Sequence, residues 1–251
     1  SIICFVQHTT KGRRTIIMLA GHFGVSYGLK AKEKYASLGL LFLAVGFADL
    51  LWSLFILLGR EQAQLAPTLP SSRLNLSYMP FDHSLLGILF WSIVIYILFR
   101  FLPAKPGARK SAIALVMAVA VFSHFVLDIP VHRGDLGLIG NMYKIGFGLY
   151  NYPLPAFLLE TACLLGGLWL YLRSTTGTTF LGKYGMILLA LLLLLINALT
   201  YWGPNPQNIQ EVALFLPTVY LVSALLADWL DGKRSPKVAS MPEAVQPATQ
   251  L

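Results

Sequence analysis

Histidines and carboxylates recur inside long apolar runs of this sequence, where ionisable side chains are costly and usually serve a function. His124 and Asp128 are four residues apart, a spacing that puts both side chains on one face of a helix. Such a pair either binds one ion or uses the carboxylate to orient the imidazole. Pro130 is expected to end the helix nearby, which lets His132 turn back towards the same place.

Other ionisable residues lie in separate apolar runs, in positions that a helix bundle would bring to the same half. Imidazole and carboxylate ligands together suit zinc, iron or manganese. We therefore predict a divalent transition metal, with zinc as the first candidate, held by His22, Asp49, His83, His124, Asp128 and His132. Glu160 and Ser84 are the candidate catalytic residues, Glu160 as a general base or as a partner of a ligand.

Simpler interpretations of the same residues stay open. His22, which lies between two glycines, fits a hydrogen-bonded packing residue, and Asp49 or Glu160 fits a hydrogen-bond acceptor. Asp82 directly precedes an expected helix and fits a helix cap. The metal prediction therefore depends on these residues meeting in one place.

The elements that position these residues are expected to be membrane helices. Of 251 residues, 56% are hydrophobic and 12% are charged, which is about half the charged fraction of a soluble domain. Apolar runs close to the ~20 residues that cross a bilayer lie at 36–59, 84–103, 111–129, 153–173, 181–203 and 211–230. We predict an all-α integral membrane protein with six full transmembrane helices and one short N-terminal spanning or re-entrant helix at 15–29.

The charge distribution indicates topology rather than nucleic-acid binding. The net charge is +8, and the basic residues lie between the apolar runs, mostly in alternate loops. This pattern places the C-terminus in the cytoplasm. We divide the chain into a non-native or disordered extension at 1–17, a single transmembrane domain at 18–234 and a disordered cytoplasmic tail at 235–251.

Several segments resemble, in order, a widespread group of uncharacterised bacterial integral membrane proteins. The segments begin at Met18 and include Phe47–Trp52, Asp82–Leu86, His124–Asp135 and Gly146–Asn151. This group distantly resembles the membrane-bound metal-dependent hydrolases of the bacterial inner membrane. Ala48 and Leu51 depart from the Pro-Asp-x-Asp segment of that family, and its His-Arg-Gly stretch is absent before His83.

The resemblance implies a metal-binding protein of the bacterial inner membrane with hydrolase activity on a lipid-derived or other membrane-accessible substrate. Its partners would be the bilayer and that substrate, with no nucleic acid. The alternative is a transporter or permease that uses the same histidines and carboxylates as an ion or proton relay. A non-catalytic membrane scaffold explains the ionisable residues least well. The presence or absence of a bound metal distinguishes the enzyme from the other two.

Overall fold

Helices form most of residues 19–66 and 74–237, the parts of the chain that the computed structural model describes. In these parts there are eight α-helices: α1 (Ala20–Lys32), α2 (Leu38–Val45), α3 (Phe47–Leu57), α4 (Leu85–Phe101), α5 (Lys110–Val131), α6 (Pro153–Ser174), α7 (Phe180–Trp202) and α8 (Ile209–Asp231). Four short strands accompany them: β1 (Gln62–Leu65), β2 (Leu74–Tyr78), β3 (Thr175–Thr176) and β4 (Ser235–Pro236). The all-α membrane-type fold is thus confirmed in outline.

Four of the described helices, α5 to α8, are long and apolar enough to cross a membrane. The bent pair of α2 and α3 gives a fifth span if its two halves are taken together. Helix α4 has 17 residues and α1 has 13, so both are shorter than a typical span. The prediction of six full spans and one short helix is therefore not confirmed beyond these four or five.

The run at 36–59 is not one straight helix. It breaks at Gly46, where α2 and α3 meet at 54°. A Cβ at this position would overlap the ring of Tyr220 on α8, so glycine allows the aromatic ring to pack against the bend. The end of α2 and the first turn of α3 are largely buried, and Asp49 lies in that first turn.

Helix α1 is held against α6 by a close backbone contact. A Cβ on Gly167 would overlap the Gly24 carbonyl, and a Cβ on Gly24 would overlap the Cys163 carbonyl. Small residues of this kind let two membrane helices approach closely. The contact fixes α1 along its length, and with it His22, which is buried near the start of α1.

The strands lie outside the helices. β1 and β2 form an antiparallel pair directly after α3, a feature that the sequence interpretation did not include. β3 pairs with β4, so the first residues of the predicted disordered tail form a short pairing with Thr175 and Thr176. The predicted extension at 1–17 and the tail beyond residue 237 lie outside the described residues.

Candidate metal centre

Four segments bring histidines and aspartates together at one end of the bundle. α1 supplies His22, the bent α2–α3 pair supplies Asp49, and the loop before α4 supplies His83. The end of α5 supplies His124, Asp128 and, at its C-cap, His132. All six side chains are buried, with exposed fractions between 1% and 6%. The structure therefore brings together all six residues predicted as metal ligands.

Asp128 lies at the centre of this cluster. Its Oδ2 is 3.2 Å from His124 Nε2, 3.6 Å from His132 Nε2 and 3.9 Å from His83 Nε2. Its other oxygen, Oδ1, is 3.4 Å from His22 Nε2. Each of the four imidazoles thus turns its Nε2 atom towards the same carboxylate.

The opposite ring nitrogen of three of these histidines contacts a hydrogen-bond acceptor. His124 Nδ1 donates to the Val45 carbonyl over 2.7 Å. His83 Nδ1 lies 2.6 Å from Asp82 Oδ1, and His132 Nδ1 lies 3.0 Å from Asp135 Oδ1. A carbonyl can only accept, so the His124 proton is on Nδ1 and Nε2 keeps its lone pair in the neutral ring. Metal-bound histidines in proteins are oriented in this way.

The spacing between the facing atoms matches that of ligands around one ion. His83 Nε2 and His124 Nε2 are 3.2 Å apart, and Asp49 Oδ1 is 3.4 Å from His83 Nε2. Donors that each lie about 2.0–2.1 Å from a metal are roughly 3.0–3.4 Å from their neighbours in tetrahedral or octahedral geometry. Two lone pairs that face each other at 3.2 Å repel unless a cation or a proton lies between them.

Two overlapping triads have the spacing needed to hold a metal ion. One is His22, Asp49 and His124, and the other is His83, His124 and Asp128; within each, the ligand atoms lie within 4.8 Å of one another. Some of these atoms also lack hydrogen-bond partners within the described structure, namely both ring nitrogens of His22 and Oδ2 of Asp128. Buried polar atoms are rarely left without a partner. The residues present could therefore hold a metal ion.

Protons compete for the same atoms in the metal-free protein, as the loop histidines show. Burial by itself lowers the pKa of His83, but the Asp82 and Asp49 carboxylates outweigh it and raise that pKa well above its ordinary value. Burial likewise opposes the rise at His132, where Asp135 and Asp128 raise the pKa. A metal that binds here must displace these protons.

The cluster opens into a small cavity. Its volume is about 30 Å³, enough for one or two water molecules. Its lining includes the cluster residues Asp49, His83, Asp128 and His132, and the aliphatic or aromatic side chains Trp52, Leu74, Leu76, Met79, Tyr150 and Leu216. Leu74 and Leu76 belong to β2, so the strand pair covers this end of the bundle. The site has room for water beside the predicted ligands, within an aliphatic and aromatic rim.

The two candidate catalytic residues, Glu160 and Ser84, form hydrogen bonds at the N-termini of helices, and their catalytic role stays a prediction. Glu160 Oε2 accepts hydrogen bonds from the backbone N–H groups of Leu19, Ala20 and Gly21, and Oε1 accepts one from Tyr201. Glu160 thus caps the N-terminus of α1 from α6, where a negative charge is favourable. Ser84 caps α4: its hydroxyl accepts from Gly87 N–H and donates to the Pro80 carbonyl.

The sequence interpretation missed the residues that orient the ligands. Asp82 was considered as a helix cap, but the cap of α4 is Ser84 and Asp82 contacts His83 instead. Tyr220 donates to Asp49 Oδ2 over 2.8 Å. The Val45 carbonyl reaches His124 because α2 ends there. Of these orienting contacts, the sequence could have indicated only the one from Asp82, because Asp82 directly precedes His83.

Comparisons of the chain with models of known protein families, with curated proteins and with solved structures found no match.

Proposed function

We propose that this protein is a metal-dependent hydrolase of the membrane, with zinc as the first candidate metal, acting on a lipid-derived or other membrane-accessible ester or phosphoester. The observation that carries the proposal is the convergence of four imidazole Nε2 atoms on Asp128, three of them on rings whose Nδ1 atom contacts an acceptor. A cluster that served packing alone would be expected to satisfy its polar atoms with one another.

The chemistry would be divided between the metal and the chain. His83, His124 and Asp128 would hold a divalent metal, which would supply a Lewis acid for the ester or phosphoryl oxygen and for a nucleophilic water. Asp82 and the Val45 carbonyl hold the two imidazoles in the orientation that binding needs. Tyr220 holds Asp49 beside them, and aliphatic and aromatic side chains line the rest of the cavity.

The position and size of the cavity support this proposed substrate class. It lies at one end of apolar helices, and about 30 Å³ admits a reacting group rather than a whole lipid. Large apolar side chains near the cavity, including Tyr78 and Phe81, are exposed at 38% and 47%. An acyl or prenyl chain could lie along such residues while only the ester or phosphoester reaches the cluster. Glu160 and Ser84 are not needed for this scheme.

We further propose that the protein lies in a bacterial inner membrane with its C-terminus in the cytoplasm. One cleft at the end of α1 away from His22 gathers basic residues from the last turns of α1 and α6 and from two loops, among them Lys30, Arg173, Lys105 and Arg234. Such an accumulation is typical of the cytoplasmic side. A single cysteine at Gly107 should then resist a membrane-impermeant thiol reagent added from outside, and one at Gly134 should react, in a cysteine-free background. The reverse labelling pattern would overturn this orientation.

The test of the proposed function combines metal content with hydrolysis. Untagged full-length protein, purified in mild detergent without chelator, should carry zinc or another transition metal. It should also hydrolyse p-nitrophenyl esters or bis-p-nitrophenyl phosphate in mixed micelles. The His83→Ala variant should lose activity at least a hundredfold, whereas Thr218→Val, whose hydroxyl bonds only within α8, should not. Metal-free wild-type protein would refute the hydrolase proposal and favour the relay alternative.

The relay alternative has one specific structural feature in its favour. Helices α2 and α3 are broken inside the membrane-type bundle, beside Asp49. Broken helices occur in transporters, where freed backbone groups bind ions. Proton uptake into vesicles that depends on Asp49, in protein without transition metal, is the result that would establish this alternative.

A further inference from the structure

His22 and His124 are stacked on one another at the centre of the cluster. Their ring centroids are 4.0 Å apart, and the ring planes differ by 19°. The lone pair of an imidazole Nε2 lies in the plane of its ring. Two nearly parallel rings that point the same way therefore direct their lone pairs along separate, nearly parallel lines.

Both rings do point the same way, towards Asp128, but each faces a different oxygen. His22 Nε2 lies 3.4 Å from Oδ1, and His124 Nε2 lies 3.2 Å from Oδ2. A single ion on the lone-pair line of one ring would lie well off the line of the other. Two ions, one on each line, would each meet one oxygen of the same carboxylate.

The number of ligand atoms leads to the same conclusion. Four Nε2 atoms, Asp49 Oδ1 and the two oxygens of Asp128 make seven donors. A catalytic zinc commonly has three protein ligands and an open position for water. One ion that used most of these donors would be closed to water, whereas two ions sharing them would each keep room. Pairs of catalytic ions in proteins are about 3.5–4 Å apart, close to the separation of the stacked rings.

We propose that the cluster is a two-metal centre in which Asp128 bridges the ions. The first ion would be held by His83, His124 and Asp128 Oδ2, with His132 beside it, and the second by His22, Asp49 and Asp128 Oδ1. This inference rests on the proposed metal centre and assigns its nuclearity. It also gives His22 a role: the residue is 1% exposed and neither ring nitrogen has a hydrogen-bond partner within the described structure.

The stoichiometry of the full-length protein tests the inference separately from the proposed function. Apo-protein in detergent is loaded with Zn²⁺, freed of excess metal and analysed for zinc per chain. Two equivalents are expected for wild type and one for His22→Ala. Ser26→Ala, on the same helix and bonded to the Leu41 carbonyl, is the matched control and should keep two. One equivalent in wild type would overturn the two-metal centre and leave the hydrolase proposal standing, while none would overturn both.

Electron paramagnetic resonance provides a second test that does not depend on measuring the number of metal ions per chain. Mn²⁺-loaded wild type should give the broad, exchange-coupled electron paramagnetic resonance signal of two nearby ions. His22→Ala should give the six-line signal of an isolated ion, provided that it elutes as the same monodisperse species as wild type. An isolated-ion signal in fully loaded wild type would contradict the bridging role of Asp128. A coupled signal that persists in the variant would contradict the assignment of His22 to the second ion.

Discussion

Replacing Glu160 tests whether its carboxylate has a structural or a catalytic role. This side chain is fully buried and accepts four hydrogen bonds: three from the backbone of Leu19, Ala20 and Gly21 at 2.9–3.4 Å, and one from Tyr201 at 2.6 Å. The first three are N–H groups at the start of α1, which have no partner within their own helix. We expect the stability of α1 against α6 to depend on this carboxylate.

The magnitude follows from the contacts that each substitution removes. Hydrogen bonds to a charged group contribute about 1.5–3 kcal/mol each, but they are not additive within one cluster. Glu160→Ala leaves three buried donors and one phenol without their acceptor, for which we expect a loss of about 3–5 kcal/mol. Glu160→Gln keeps a carbonyl oxygen for the backbone groups and an amide facing Tyr201, so about 1–2 kcal/mol is expected.

Thermal unfolding in detergent, followed by a thiol-reactive dye, measures the difference. At about 2–4 °C per kcal/mol for a chain of this size, Glu160→Ala should lower the Tm by roughly 6–20 °C and Glu160→Gln by roughly 2–8 °C. Tyr201→Phe removes one of the four bonds and should resemble the glutamine variant. Hydrolysis per folded molecule should survive in Glu160→Gln. An unchanged Tm with a hundredfold loss of activity would refute the capping account and restore Glu160 as a general base.

Three further predictions concern the site and its support. Asp82→Ala should weaken metal binding about 10- to 100-fold, measured by competition with a fluorescent zinc chelator, because the variant no longer orients His83; unchanged affinity would remove Asp82 from the site. Gly167→Ala should lower the Tm and the folded yield, because its Cβ overlaps the α1 backbone, whereas Gly166→Ala meets nothing within 4 Å and should not; equal effects would contradict the packing account. Metal affinity should rise with pH, by up to about tenfold per unit for each proton displaced, because the raised pKa values of His83 and His132 favour the protonated rings at low pH; a flat profile between pH 5.5 and 8 would contradict it.

The membership of the cluster could be predicted from the sequence because buried charge is costly. An ionisable residue in an apolar run has few purely structural explanations, so His22, Asp49 and His124 were visible without any structure. The i,i+4 spacing of His124 and Asp128 then fixed their common face. These arguments use only local spacing and the length of apolar runs, both of which the sequence contains.

The arrangement around the cluster could not be predicted in the same way. The break at Gly46 depends on Tyr220, about 170 residues later, whose ring packs against that glycine and whose hydroxyl binds Asp49. Glu160 caps α1 from about 140 residues away in the chain. Because the sequence does not show that contact, Glu160 could not be distinguished there from the carboxylates of the cluster. The six-span prediction treated every apolar run as one straight helix, which hid both the bend and the shortness of α4.

We propose that the buried histidines and aspartates bind a metal ion through nitrogen and oxygen atoms. X-ray absorption at the zinc edge tests it most directly, on untagged protein purified without chelator and on His124→Ala/Asp128→Ala purified in parallel. We expect nitrogen and oxygen scatterers at about 2.0–2.1 Å with the outer-shell pattern of imidazole, and no edge signal in the membrane-inserted double variant. Wild-type protein without metal, or a sulfur shell near 2.3 Å, would contradict it.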